Sequence, residues 1–280
     1  MNELDAGVAI PIDTETVPVR RILGLNPGPM TGPGTNSYLI GKERLSLLDP
    51  GPRDEVQLQN FLQAIGDATL ENILITHTHA DHSPGALALQ EATGARLVGL
   101  KAPDVAGHDK TFAPERLWCD LETIDCGEYS VQLIATPGHV SNHICFLLRE
   151  EQLLFTGDHV LQGTTSVILP PDGDMTAYLD ALERLLLIPL KALAPGHGSV
   201  MTQPHFEIKK LIAHRLKREQ KVITSLESLG AVSLDELVLT VYDDVAKQLI
   251  PWAKRTLLAH LLKLERDERI HCDSNLWEMR

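Results

Sequence analysis

Four apolar runs in this chain end in the same way. ILIT (residues 73–76) leads into His77-Thr78-His79-Ala80-Asp81-His82, LIATPG (133–138) into His139, LLFTG (153–157) into Asp158, and ALAPG (192–196) into His197. Each is a strand-length apolar segment, then a small or turn-forming residue, then an imidazole or carboxylate. Titratable groups crowded side by side repel one another or demand partners, so the six-residue cluster needs company. The fold must therefore bring the ends of these strands together, as sheets do when their loops gather at one edge. Glycine and proline at the junctions let the backbone turn sharply enough for the side chains to converge.

The donor set is made of neutral imidazoles and two carboxylates, with no thiolate. That chemistry suits borderline divalent metals, Zn²⁺ first, with Mn²⁺ or Fe²⁺ also admitted. Structural zinc sites are usually rich in cysteine, so the set reads as catalytic. Seven residues (His77, His79, Asp81, His82, His139, Asp158 and His197) exceed one tetrahedral ion and match two. Two ions about 3.5–4 Å apart can hold a hydroxide between them and make a nucleophile available at neutral pH.

The rest of residues 1–204 reads as short strands with a few helices. NSYLIG and RLSLLDPG form a hairpin around KE, RDEVQLQNFLQAIG a helix ending on Gly66, SPGALALQEATG a second helix, and MTAYLDALERLL a third. ARLVGL, LETIDCG and YSVQLIATPG read as strands, and HICFLLREEQLLFTGD as a hairpin turning at REEQ. Without strict alternation of strand and helix, this predicts a layered α+β domain with mixed or antiparallel sheets. The glycines of TGPGTN are followed by no helix signal, so they form a turn feeding a strand and not a phosphate loop.

After Pro204 the texture becomes helical. Apolar residues at 208, 211, 212, 216, 222, 223, 226 and 229 approach a 3.6 period and stop at Gly230. SLDELVLTVY opens with a capping signal, Ser233 three residues before Glu236, and PWAKRTLLAHLLKLERDERI is a third amphipathic helix. RIHCDSNLWEM then wants to be strand, turn and strand, which makes the tail a winged-helix pattern. The expected domains are a catalytic one over residues 1–204 and a winged-helix-like one over 205–280.

Charge is divided along the same line. Residues 1–204 hold 12 basic and 26 acidic side chains, residues 205–280 hold 13 and 12, and the whole chain carries −13. The first part repels polyanions, so the tail is the one place to attract a phosphate-rich partner, through Lys210, Lys217, Lys221, Lys254 and Arg255. The four scattered cysteines read as thiols of a cytoplasmic protein. The opening residues MNELDAGVAIPIDTETVPVRR lack the pattern of a secretory or transit leader, and no apolar run approaches 18 residues, so no membrane partner is expected.

HTHADH, PGH, GD and PGHG, in this order, resemble the HxHxDH signature and loops of the metallo-β-lactamase superfamily. The resemblance covers most of residues 20–204. It implies a four-layer αβ/βα sandwich with the site at one edge of two facing sheets. It also implies that His77, His79 and His139 hold one metal, that Asp81, His82 and His197 hold a second, and that Asp158 bridges. LGLNPGPMTGPGTNSYLIG, HRLKREQ and AKRTLLAHLLKLERDERI are similar to the group typified by β-lactamase-like protein 2, which has a winged-helix tail. Vertebrate mitochondrial members of that group act as endoribonucleases on single-stranded RNA, and related fungal members are thioesterases releasing polyketides from carrier proteins. Thr78 and Ala80 depart from the animal pattern, where larger residues stand.

The expected activity is thus that of a two-metal hydrolase, with Asp81 and Asp158 as catalytic carboxylates. Its substrate is a small ester or thioester, with single-stranded RNA the alternative; duplex DNA is not expected. A winged-helix nucleic-acid module with a sensory hydrolase-like domain is the reading of a different class. Asp49, which ends the strand LLDPG, is a candidate to orient a ligand imidazole, and His143 is a candidate for a ligand or substrate contact. GTTSVILPP, after Asp158, is an expected pocket lining.

Overall fold

The computed structural model describes residues 6–280, so the first five residues of the acidic opening segment lie outside the described residues. The chain packs as two units. One holds residues up to Thr136, Asn142–Thr165 and Pro189–Pro204; the other holds Pro137–Ser141, Ser166–Ile188 and His205–Arg280.

The first unit contains two sheets. One runs in the order β1 (Ala9–Pro11), β2 (Val19–Leu23), β3 (Asn36–Ile40), β4 (Arg44–Leu48), β5 (Thr69–Leu74), β6 (Arg96–Val98), antiparallel up to β4 and parallel after it. The other comprises β7 (Thr123–Asp125), β8 (Ser130–Ala135), β9 (Ile144–Leu148), β10 (Leu153–Gly157) and β11 (Ala192–Pro195), with only β10 and β11 parallel. Both sheets are mixed. Side chains alternate across each strand. Tyr38, Ile40, Leu48 and Leu74 of the first sheet therefore meet Val131, Leu133, Phe146 and Phe155 of the second in one core. Leu39, Leu45, Leu47 and Ile73 point the other way, onto Phe61 and Ile65 of α1 (Glu55–Ile65) and Ala86 and Leu89 of α2 (Gly85–Thr93).

Strands β1 and β2 are not advertised by the sequence, because Pro11 and the Arg20-Arg21 pair interrupt the alternation. β2 accommodates its arginines because they find acceptors at its faces, Arg20 donating to the Ala64 carbonyl (2.8 Å) and Arg21 to that of Gly198 (3.3 Å), and β1 pairs along it. The segment before β2 is held by Glu151, which is 5% exposed and sits in the β9–β10 turn. Its carboxylate accepts from the N–H groups of Glu15, Thr16 and Val17 and from the Thr16 hydroxyl, at 2.6–2.7 Å. Burial alone would raise its pKa, but these four donors outweigh burial and hold it at about 2 instead of the usual 4.5. A depressed carboxyl stabilises the fold above its unfolded value and loses that contribution as pH falls through the folded one. We expect about 3 kcal/mol of unfolding free energy to vanish between pH 5 and pH 2, and that part of the slope to be missing in Glu151→Gln. Urea titrations of both proteins across that range measure the difference.

The second unit contains α3 (Met175–Leu185), α4 (Pro204–Leu229), α5 (Leu234–Val241) and α6 (Ile250–Arg266). Its three-stranded sheet is ordered β12 (Val232–Ser233), β14 (Leu276–Met279), β13 (Ile270–Asp273). Val222, Leu226, Leu237, Leu257, Leu261, Ile270 and Trp277 make its core. The helical stripe of α4 differs from the sequence expectation at two places, one of them its last turn, where Leu229 is exposed. Leu216 is 47% exposed, while Arg215 is 4% exposed and faces inward with Ile208, Leu211 and Val222. Ser233 and Glu236 complete a reciprocal capping box at the start of α5. Ser233→Ala should cost about 1 kcal/mol in chemical denaturation. No helix among the described residues is long and apolar enough to cross a membrane.

Candidate metal centre

The cluster His77 to His82 follows β5, a strand buried between two parallel neighbours, and leads into α2. Its exit is fixed by the main chain: Gly51 N–H donates to the His82 carbonyl (3.0 Å), and Gly85 N–H donates to that of Gly51 (2.8 Å). Asp158 and His197 follow β10 and β11, which run parallel with Gly157 opposite Pro195. Asp49 follows β4. Four parallel-strand C-terminal ends in the first unit thus deliver their side chains to one place, where ligand loops of open sheets collect.

Asp81, His82, Asp158 and His197 offer one ligand atom each, all within 4.8 Å of one another. Asp158 Oδ1 lies 3.3 Å from His82 Nε2 and 3.4 Å from His197 Nε2; Asp81 Oδ2 lies 3.7 Å and 3.3 Å from the same two nitrogens. These spacings exceed the 2.7–2.9 Å of a charge-assisted hydrogen bond, and both Nε2 atoms are buried without a hydrogen-bond partner. Gly196 is needed at this point, because a Cβ there would come within 2.8 Å of His82 Cε1 and 2.9 Å of Asp158 Oδ1. Beside this set, His77 Nε2 and His79 Nδ1 stand 2.9 Å apart, and the His77 ring lies 4.1 Å from that of His82.

The second nitrogen of each imidazole explains which atom is presented. His82 Nδ1 donates to Asp49 Oδ2 (2.8 Å), and His197 Nδ1 to the Gly34 carbonyl (3.3 Å). Thr76 gives its hydroxyl hydrogen to Asp49 Oδ2 (2.6 Å), so its oxygen accepts from His77 Nδ1 (3.1 Å). In all three the Nδ1–H is committed and Nε2 carries the lone pair, the tautomer a metal ligand requires. Asp49 itself is fully buried at φ 49°, a left-handed backbone that costs energy and serves to aim its carboxylate at Thr76 and His82. His139 belongs to the second unit, where its Nδ1 donates to the Val167 carbonyl at 2.5 Å and leaves Nε2 in the same role.

Electrostatics favours a cation among these atoms. Burial disfavours a charged His82, yet Asp158, Asp81 and Asp49 outweigh it and raise the imidazole well above its usual pKa. His197 is raised against burial by Asp158 and Asp81, and Asp81 is lowered against burial by His82 and His197. Three carboxylates against imidazoles, with ligand atoms that lack hydrogen-bond partners, fit divalent metal; the His/Asp set is one that could hold two ions.

His143 is fully buried, stacked 5.2 Å from the His77 ring and bonded through Nδ1 to Thr136 (2.8 Å). It lies behind the ligand set, with the buried His159 ring 5.6 Å beyond it. Sequence reasoning missed the ring of supports around the cluster. Asn142 Nδ2 donates to Thr78 Oγ1 (2.8 Å), which also bonds His108 Nδ1 (2.8 Å), and Asp109 N–H donates to the Thr78 carbonyl (2.7 Å). His108 comes within 5.1 Å of the His79 ring from AGHDK, a stretch with no apolar run before it to flag it. In the second unit, Lys210 pairs with Glu207, Lys221 with Asp243 and Lys254 with Asp235, while Lys217 and Arg255 are exposed. Of the expected pocket lining, Ser166 and Ile168 are buried.

Residues 30–197 match the family model described as the metallo-beta-lactamase superfamily. The chain belongs to that superfamily. Residues 233–277 match the beta-lactamase associated winged helix domain. Among curated relatives, a beta-lactamase-like protein 2 homolog of Drosophila melanogaster is 32% identical over 91% of this chain and 90% of its own length. An atrochrysone carboxyl ACP thioesterase of Aspergillus fumigatus is 31% identical over 92% and 84%. A beta-lactamase domain protein from Burkholderia ambifaria superposes with a TM-score of 0.81 at 18% identity, over 100% of this chain and 96% of that one, and so shares the fold. Membership of the metallo-beta-lactamase superfamily makes the chain a metal-dependent hydrolase, and the second match gives it a C-terminal winged helix.

Proposed function

We propose that the chain hydrolyses a thioester or related carbonyl ester with two divalent ions, zinc by donor chemistry. In this reading His77, His79 and His139 hold one ion, Asp81, His82 and His197 the other, and Asp158 lies between them. The single observation that carries it is the convergence of Asp158 Oδ1 and Asp81 Oδ2 on the buried, hydrogen-bond-deficient Nε2 atoms of His82 and His197. What supports His139 in this reading is the chain around it: Thr136 N–H donates to the His143 carbonyl (3.0 Å) and closes the base of its loop, and Asn142 Nδ2 donates to Thr78 Oγ1 (2.8 Å) within the cluster. The same proposal keeps residues 1–204 as the catalytic domain and 205–280 as the winged helix.

Two such ions, when bound, supply a Lewis acid and a water that ionises near neutral pH. The protein groups supply the rest. Asp81, 26% exposed where His82 is fully buried, is the ligand through which a proton can leave to solvent. Hydrolysis adds water to the carbonyl carbon and breaks the C–S or C–O bond; one proton of that water passes to the departing thiolate or alkoxide, and the acid product gives its own proton to solvent by way of Asp81.

Two observations favour the carbonyl substrate over RNA. The thioesterase relative matches over nearly the whole chain. The lysines that a polyanion would need are interlaced with Glu207, Asp243 and Asp235, which cancel much of their field. Free cysteines, Cys126 and Cys145 buried among them, fit a reducing compartment, the cytoplasm. The test is one zinc-loaded preparation offered an acyl thioester and a labelled single-stranded RNA in parallel, with Asp158→Asn as control. Turnover of the thioester, lost in the variant, is expected; cleavage of RNA alone, lost in the variant, would overturn the substrate assignment.

A further inference from the structure

The segment that carries His139 is held by α3 and the loop before it, and α4 and α6 stand behind that loop. Within the second unit, Asp174 N–H donates to the Gly138 carbonyl (2.8 Å), and Ser141 N–H donates to Asp172 Oδ2 (3.2 Å). Gly138, at φ +137°, lies against the backbone of α3, where a Cβ would come within 2.3 Å of Tyr178 Cα. His139 Nδ1 completes the grip at the Val167 carbonyl.

Two arginines stand behind these contacts. Arg215 of α4 donates through Nη2 to the carbonyl of Ser166, one residue before Val167, and its guanidinium lies 5.4 Å from the Tyr178 ring centre. Arg266 of α6 holds both carboxylate oxygens of Asp174 at 2.7 and 2.9 Å, and Asp174 also caps α3 through the N–H groups of Thr176 and Ala177. Arg215 is 4% exposed and its Nε makes no hydrogen bond. A buried cation with incomplete partners is a poor source of stability, and an apolar side chain on that face of α4 would pack at lower cost. The placement makes sense as the means of fixing one main-chain segment.

We propose that Arg215 and Arg266 are positioning residues: Arg215 holds the Ser166 carbonyl beside Val167 and Arg266 holds the Asp174 carboxylate, so that His139 keeps its Nδ1–H committed and its Nε2 aimed as a ligand. The C-terminal helices then tune metal affinity at one of the two positions. This rests on His139 being a metal ligand, so His139→Ala is measured alongside. The probes are Zn²⁺, titrated against a chelating dye, and Co²⁺, read by its visible absorption. Arg215→Met and Arg266→Gln should each weaken one of the two equivalents, about 10- to 100-fold for Arg215. The other equivalent should stay unchanged and one component of the Co²⁺ spectrum should alter. Arg215→Lys should fall between Arg215→Met and the wild type. Arg215→Met should melt no earlier than the wild type; if it does not fold, the surface variant Arg266→Gln decides. Wild-type affinity for both equivalents in these variants, while His139→Ala loses one, would overturn the positioning role alone. Two full equivalents in His139→Ala would overturn the ligand assignment beneath it.

Discussion

Asp158→Asn is expected to lower thioester turnover about a thousandfold, the scale of removing a metal-dependent nucleophile and its electrophilic partner. The substitution keeps the volume, so the half-buried side chain still fits beside Gly196, whose lack of a Cβ makes room for it. What changes is charge and donor character. One carboxylate oxygen faces both His82 Nε2 and His197 Nε2, at 3.3 and 3.4 Å. An amide either presents a weaker acceptor there or turns an N–H₂ donor toward the ligand atoms. The raised imidazoles lose their largest electrostatic support, and the proposed pair of ions would lose the carboxylate assigned between them. Steady-state kinetics and metal content of one preparation, with a melting curve to show the fold intact, are the measurements. Turnover within tenfold of the wild type with both ions retained would contradict the role given to Asp158.

Asp49→Ala should act on stability and metal together. The carboxylate accepts from Thr76 N–H (2.8 Å), Thr76 Oγ1 (2.6 Å) and His82 Nδ1 (2.8 Å), all in the fully buried base of the centre. Its removal leaves three buried donors without an acceptor, and alanine is less tolerant than aspartate of φ 49°. About 4 kcal/mol of unfolding free energy is the expected loss, since each such donor costs about 1–3 kcal/mol and water will partly fill the space. The freed imidazoles of His82 and His77 can then change tautomer, so zinc affinity should fall about 10- to 100-fold in the same protein. Denaturation and dye-competition titrations separate the two effects; a loss below about 1 kcal/mol with unchanged affinity would show that Asp49 is a passive core residue.

The parts legible in the sequence were those where chemistry and periodicity coincide. Strand runs that stop at a small residue and expose an imidazole or carboxylate marked β5, β8, β10 and β11 together with the residues they carry, and Asp49 was visible as a carboxylate closing β4. Supports made by the main chain left no trace. The carbonyls of Gly34 and Val167, which orient His197 and His139, are main-chain atoms that no side-chain pattern marks, and nothing in the pattern around Thr76, Asn142 or His108 tells of their supporting bonds. Helical periodicity also misplaced two positions of α4, Leu216 and the terminal Leu229. It assigned Leu216 to the inner face by apolarity, whereas 208, 211, 215, 222 and 226 make the continuous stripe, with an arginine at its centre. A hydrophobic pattern cannot register a buried cation whose acceptor, the Ser166 carbonyl, lies 49 residues away. Strand β2 was hidden for a related reason, since Arg20 and Arg21, with distant carbonyl partners, interrupt its alternation, while Pro11 interrupts β1.

The central claim is that the His/Asp set holds two ions and that hydrolysis depends on them. Elemental analysis of protein purified without chelator, paired with thioester turnover before and after chelation, tests it most directly. The expected result is two divalent ions per chain, turnover abolished by chelation and recovered on adding zinc, and fewer than two ions in Asp158→Asn. A fully active preparation with less than one ion per chain, indifferent to chelator, would contradict it.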